Sequence, residues 1–129
     1  MRVSINSKVA ILYRVVDADS WRQAQQSGWV PRCGADQRAD WVHLNVQESL
    51  KVVTPRYFHP SDKPVALAIA VDHLQGELVW LEPTEEKPWI QPCAKIANLP
   101  LSAVVSVIPL TRDDRGAEFL FPPSGADKH

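Results

Sequence analysis

Apolar positions along this chain fall into short blocks whose period changes from segment to segment. Lys8–Val16 (KVAILYRVV) is β-branched and apolar on both faces, which predicts a central strand with little solvent exposure. Asp17-Ala-Asp-Ser then supplies two candidate helix caps, and Trp21, Ala24 and Gln25 recur at helical spacing until Gly28 stops the run. Trp29–Arg32 predicts a short extended piece that ends at Pro31-Arg-Cys-Gly. Ala35–Asp40 is polar throughout and reads as a loop.

The second stretch opens with Trp41–Leu44 (WVHL), a brief apolar strand. Asn45 follows as a good helix cap, with Glu48 three residues on, the spacing of a capping box. Leu50, Val53 and Tyr57 continue an apolar stripe, and Pro55 is expected to end or kink this second helix. After the turn Pro60-Ser-Asp-Lys-Pro comes Val65–Asp72 (VALAIAVD), a strongly buried strand. Gln75-Gly76 makes a turn, and Glu77–Glu82 (ELVWLE) alternates polar with apolar as a half-buried strand does. Thr84–Pro92 reads as a loop with acidic residues and an exposed Trp89. Lys95-Ile-Ala is a candidate short strand, and Val104–Leu110 (VVSVIPL) is a clear one that Pro109 places at an edge or an end.

This pattern gives five or six strands and two helices, with both helices in the first half. Such an uneven order argues for an α+β fold rather than alternating βαβ units. The 11 prolines lie mostly between the apolar blocks, where a fixed φ and a missing donor end strands and helices. No internal repeat interrupts the pattern, so residues 1–110 are expected to form a single domain. Residues 111–129 form a C-terminal tail, expected to be disordered from about Pro122 onward because apolar residues run out there.

Composition changes this picture little. A length of 129 residues suits one core, and 45% hydrophobic with 22% charged residues is an ordinary globular balance. The net charge of −1 argues against nucleic acid and anionic lipid as partners. No stretch approaches the roughly 18 apolar residues of a membrane span, and no signal pattern opens the chain, so a cytoplasmic setting with Cys33 and Cys93 as thiols is expected. His43, His59 and His73 show no metal-ligand spacing, and no metal is expected. A Gly-rich phosphate loop and a Ser nucleophile elbow are both absent from the sequence.

Several fragments taken together carry a resemblance: ILYRVV, SWRQAQQSG, WVHLN followed by a helix, VALAIAVD, LVWLEP and LPLSAVVSVIPL. In this order and spacing the chain resembles the bacterial domain-of-unknown-function family nine-fifty-two over about Ala10–Leu110. That family is grouped by similarity with the histidine-histidine branch of ADP-ribosyltransferases. The resemblance implies two small facing β-sheets with an NAD cleft between them. It also implies chemistry at the nicotinamide ribose. His43 matches the family's second histidine, and Trp80 with Glu82 matches its Trp-Glu pair. Arg14 stands at the position of the first histidine, and Ala94-Lys95-Ile96-Ala97 aligns with the segment of the third, which is absent. The Ser-Thr-Ser strand and Glu-x-Glu turn of the arginine branch are also absent.

The candidate site follows. Arg14 interrupts an apolar strand, where a guanidinium needs an anion or several acceptors; it either anchors a ligand phosphate or carboxylate, pairs with an acid such as Glu82, or snorkels from an edge. His43, just before a predicted helix, either orients a ligand and shuttles a proton or is a satisfied core histidine. Glu82 is a candidate general base or ribose ligand, or a solvated strand end. Lys95 is a candidate compensating cation or a surface lysine, and Trp41 and Trp89 are the tryptophans considered for stacking a planar ligand. Two functions stay open: a cleft binding NAD, a related nucleotide or a phosphorylated compound, with His43 and Glu82 catalytic and Arg14, His43, Trp41 and Lys95 binding; or a fold that keeps binding or partner contacts without the activity. An enzyme turned to an unrelated small molecule, with Arg14 and His43 as anion holder and acid/base, is a third.

Overall fold

A computed structural model describes residues 11–31, 41–74, 77–111 and 119–121 of the chain. The start of the first predicted strand (8–10), Cys33, the polar loop at 35–40, the Gln75-Gly76 turn and the tail from 122 lie outside those residues. In chain order the elements are β1 (Ile11–Val16), α1 (Ala18–Ser27), β2 (Trp29–Val30), β3 (Val42–His43), α2 (Leu50–Tyr57), β4 (Val65–Ala70), β5 (Leu78–Leu81), β6 (Gln91–Ala94), β7 (Leu99–Pro100) and β8 (Val104–Pro109). The fold is α+β with both helices in the first half. Where two facing sheets were expected, the strands form three antiparallel sheets, ordered β1-β4-β8, β2-β7 and β3-β6-β5. The extra sheet arises because the Trp29–Val30 segment pairs with Leu99–Pro100, which is too short to signal itself in sequence.

Local chemistry explains the first helix. Asp17 caps α1 by accepting from the Ser20 N–H at 2.7 Å, and Gly28 ends it in the left-handed region at φ 87°, donating its N–H to the Ala24 carbonyl. The helix turns Ala24 and Trp21 to the core, while Gln25 faces solvent.

The start of the second helix departs from expectation. Asn45 does not cap it, because its N–H and C=O both bond to Tyr13, at 2.7 and 2.8 Å, and hold it extended. The chain therefore turns later, through a 3₁₀ turn at Gln47–Ser49 that takes in Glu48, and α2 starts at Leu50 with no side-chain cap. Pro55 neither ends nor visibly interrupts α2, which runs on to Tyr57.

Two clusters pack on the β1-β4-β8 sheet, one to each face. Leu12, Val16, Leu67 and Ile69 join Ala24 of α1, Val42 and Leu44, Ala94 and Leu99 in the main core. On the other face Val15 and Ala66 meet Leu50 of α2 and Leu110, with Tyr13, Phe58, Ile108 and Phe121 around them. Past β8, Thr111 pairs with Phe119 and Leu120 donates to the Leu110 carbonyl, so residues 119–121 return to the domain rather than leaving at 110.

Two further expectations change. The strand expected at Lys95–Ala97 lies four residues earlier, at Gln91–Ala94, despite Pro92. Pro92 is tolerated because its carbonyl accepts from Leu44, one residue past the end of β3, where a missing ladder donor matters least. Trp89 is buried, at 7% exposure. The Tyr57 ring meets it edge-on at 6.4 Å, and the Arg56 guanidinium lies 5.0 Å from its centroid while donating to the Glu86 carbonyl. A loop of acidic residues and prolines reads as solvent-facing; the long-range contact with α2 is what covers its tryptophan.

Candidate functional site

The site is built where β1 and β3 meet and part. β3 pairs with β6 on one side, and Leu44 donates to Pro92 in continuation of that ladder. On its other side, Asn45 pairs with Tyr13 in a single bridge. The ladder stops there. The His43 carbonyl, which a continued ladder would direct to β1, accepts from Arg14 Nη1 at 2.8 Å, and Arg14 Nη2 donates to the Pro31 carbonyl at 3.3 Å. Arg14 is 6% exposed, so its guanidinium sits inside the split between the strands and ties β3 and the end of β2 to β1. Acceptors that are already ordered and fixed satisfy a planar donor at low entropic cost.

Pleating sorts the neighbouring positions. Val42, Ala94 and Leu78 share one row of the β3-β6-β5 sheet and face the main core. His43, Cys93 and Val79 form the next row and therefore face the other way, with Cys93 fully buried and His43 half-buried. One row beyond the Val42 row the same register brings Trp41, Lys95 and Glu77 level, on the His43 face. Lys95 confirms this by donating its N–H to the Glu77 carbonyl at 2.9 Å. Its Nζ lies 5.4 Å from the centroid of the Trp41 ring and 3.8 Å from Glu77 Oε1.

The structure thus gathers Trp41, His43 and Lys95 on one face of one sheet, with Arg14 bonded to the His43 backbone. It does not gather Glu82. That residue is exposed, one position past the end of β5 and at the far end of the sheet from the Lys95 row; its parity is that of Trp80, opposite to His43. Trp80 itself packs against the main core, where its Nε1 is buried without a hydrogen-bond partner among the described residues. Of the roles considered for Arg14, the described contacts are two donations to backbone carbonyls, those of His43 and Pro31. Among the described residues no group of three or more His, Cys, Asp and Glu side chains converges as a metal site, and no helix is long and apolar enough to cross a membrane.

With the geometry in view, comparison with known proteins places the chain. The family described as "Protein of unknown function (DUF952)" matches residues 15–107. The chain belongs to the DUF952 family. No curated protein matches it. A crystal structure of protein CC0527 from Caulobacter crescentus is similar, with a TM-score of 0.66 at 20% identity, covering 83% of this chain and 91% of that one. The solution NMR structure of CC0527 gives 0.63 at 21% identity, covering 92% and 96%. At such identity the likeness speaks for the fold alone.

In this DUF952 domain the residue that sequence reasoning missed is Glu77. It opens an alternating strand and reads as an ordinary solvated end. Its place beside Lys95 depends on the β5–β6 register, which could not be set while β6 was expected at Lys95–Ala97. Tyr13 is the other. Burial, and then the Glu48 carboxylate, push its phenol above the ordinary value of 10.0, while its ring packs against the second cluster.

Proposed function

We propose that this domain binds NAD or a related nucleotide on the face formed by Trp41, His43 and Lys95, and that binding rather than group transfer is its activity. The observation that carries the reading is the ammonium of Lys95 set over the Trp41 ring, on the same sheet face as His43. An indole offers a stacking surface to a base, a lysine offers a charge to a phosphate, and an imidazole on the same face can hydrogen-bond a ribose hydroxyl or a phosphate. Glu77 already shares Lys95 and opposes an incoming anion, so it tunes the affinity of this face downward. Arg14 serves this face by holding the His43 strand in place.

Transfer at the nicotinamide ribose is the alternative. It needs an acid or base at the reacting carbon, and the exposure and parity of Glu82 favour binding over it.

Calorimetric titration with NAD, ADP-ribose and nicotinamide tests the reading. NAD and ADP-ribose are expected to bind and nicotinamide alone to bind far more weakly, since it lacks a phosphate. Lys95→Gln should weaken ADP-ribose binding by about tenfold, the cost of one charge-assisted contact. Glu77→Gln should tighten it severalfold. Failure of both nucleotides to bind folded protein sinks the proposal, and nicotinamide release by the wild type would replace binding with transfer.

A further inference from the structure

The structure assigns a second binding site, a groove between the last turn of α1 and β2, to a neutral saccharide. It is independent of the nucleotide face. α1 presents Gln23, Gln26 and Ser27 along one side at helical spacing, and Asn98 closes the other. Gly28, at φ 87°, turns the chain sharply between them, and the Gly28 carbonyl accepts from Leu101 at 2.9 Å. Ser27 Oγ then clamps the next residue twice, accepting from the Trp29 N–H at 3.1 Å and donating to the Trp29 carbonyl at 3.0 Å. Trp29 is thereby fixed at its backbone while 51% of it stays exposed. Below it the floor is firm, because Val30 is buried and the Pro31 carbonyl is held by Arg14. The depression is open to solvent and has a volume of about 670 Å³.

Its chemistry selects the ligand. Among the described residues lining the groove none carries a charge, and three are carboxamides, Gln23, Gln26 and Asn98. A phosphate, carboxylate or ammonium would find no counter-charge among the described lining residues. A wholly apolar ligand would instead strip water from three carboxamides and leave them unpaired. A pyranose avoids both costs. Its C–H face lies on an indole, and its hydroxyls, each donor and acceptor, match Gln and Asn amides that are likewise both. A large aromatic left half exposed on a clamped backbone is also the kind of pre-ordered anchor that loses little entropy when a ligand covers it.

The test is a titration with neutral disaccharides (cellobiose, maltose, lactose and N,N′-diacetylchitobiose), followed through the side-chain N–H resonances of Trp29, Gln23, Gln26 and Asn98. At least one sugar is expected to shift the Trp29 indole and the three amides together and saturably. Trp29→Ala and Asn98→Ala, both changes at exposed positions that leave the core untouched, should each weaken that binding by about tenfold or more. Lys95→Gln should leave it unchanged, which separates this site from the nucleotide face. Three results overturn the assignment: no shift with any of the sugars, shifts that persist in Trp29→Ala, or a Trp29 resonance that instead moves with protein concentration, which would make the groove a contact between copies of the chain.

Discussion

Arg14 shows how a single residue can be legible as important and illegible in role. A guanidinium in an apolar strand announces that acceptors await it, but the sequence leaves their identity open. Two of them are the carbonyls of His43 and Pro31, from segments 29 and 17 positions away. Arg14→Ala removes both bonds and opens a void beside Leu12 and Val16, so a loss of about 3 kcal/mol is expected in chemical denaturation. Arg14→Lys should recover less than half of that, since one ammonium cannot fork between two carbonyls. Retention of full stability by Arg14→Ala would return the residue to an anion-binding role. Tyr13, its neighbour, makes a pH prediction. Its phenol titrates above 10.0 in the folded chain because burial and then Glu48 oppose the anion. Above the unfolded value the unfolded chain therefore binds fewer protons than the folded one, and stability falls as pH rises through the folded value. Below that window the contribution is complete. The denaturation midpoint of Tyr13→Phe should be less sensitive to alkaline pH than that of the wild type.

At the level of elements, those stopped by local chemistry were the easiest to read. Asp17 and Gly28 bound α1 at the positions their side chains and φ preferences indicate, and Pro109 ends β8 on a sheet edge. Elements whose limits depend on distant pairing were not readable. Asn45 is a fair cap by type, yet its backbone belongs to Tyr13, and a residue held in a ladder cannot also start a helix. Pro92 looks like a strand breaker, but the N–H it lacks would face Leu44, one residue past the end of β3, and not its partner Trp80 in β5. Pro55 is the sharpest case, because a proline inside an eight-residue helix costs an intrahelical bond to the Lys51 carbonyl. The contacts of Arg56 and Tyr57 with Trp89 hold the last turn in place beyond it. Pro55→Ala, at an exposed position, should therefore stabilise the protein by about 1–2 kcal/mol, the helix gain being offset in part by a looser unfolded chain. A thermal melt checks this. A lower Tm would mean that the proline shapes the approach of Tyr57 to Trp89 and is required there.

Across the whole molecule, the question is whether two sheets joined by one bridge behave as one cooperative unit. Tyr13 and Asn45 supply the only ladder contact between β1-β4-β8 and β3-β6-β5 among the described residues. The main core, however, does not respect that division. Leu12, Leu67 and Ile69 of the first sheet pack in one cluster with Val42, Leu44 and Ala94 around the second, and Arg14 adds a polar tie across the split. Apolar burial is shared by both sheets, so neither keeps its core if the other opens, and sub-global opening of one alone would expose most of the cluster. The candidate nucleotide face depends on this coupling, since it lies on the second sheet while the His43 carbonyl is held by Arg14 of the first. Native-state hydrogen exchange should then give the same opening free energy for the amides of Leu67 and Ile69 in β4 and of Cys93 and Ala94 in β6. The β2–β7 pair, only two residues long and bearing the exposed Trp29, should open at lower cost. Faster exchange in β6 than in β4 would mean that the split between β1 and β3 is a working hinge, and that the binding face can move against the sheet that carries Arg14.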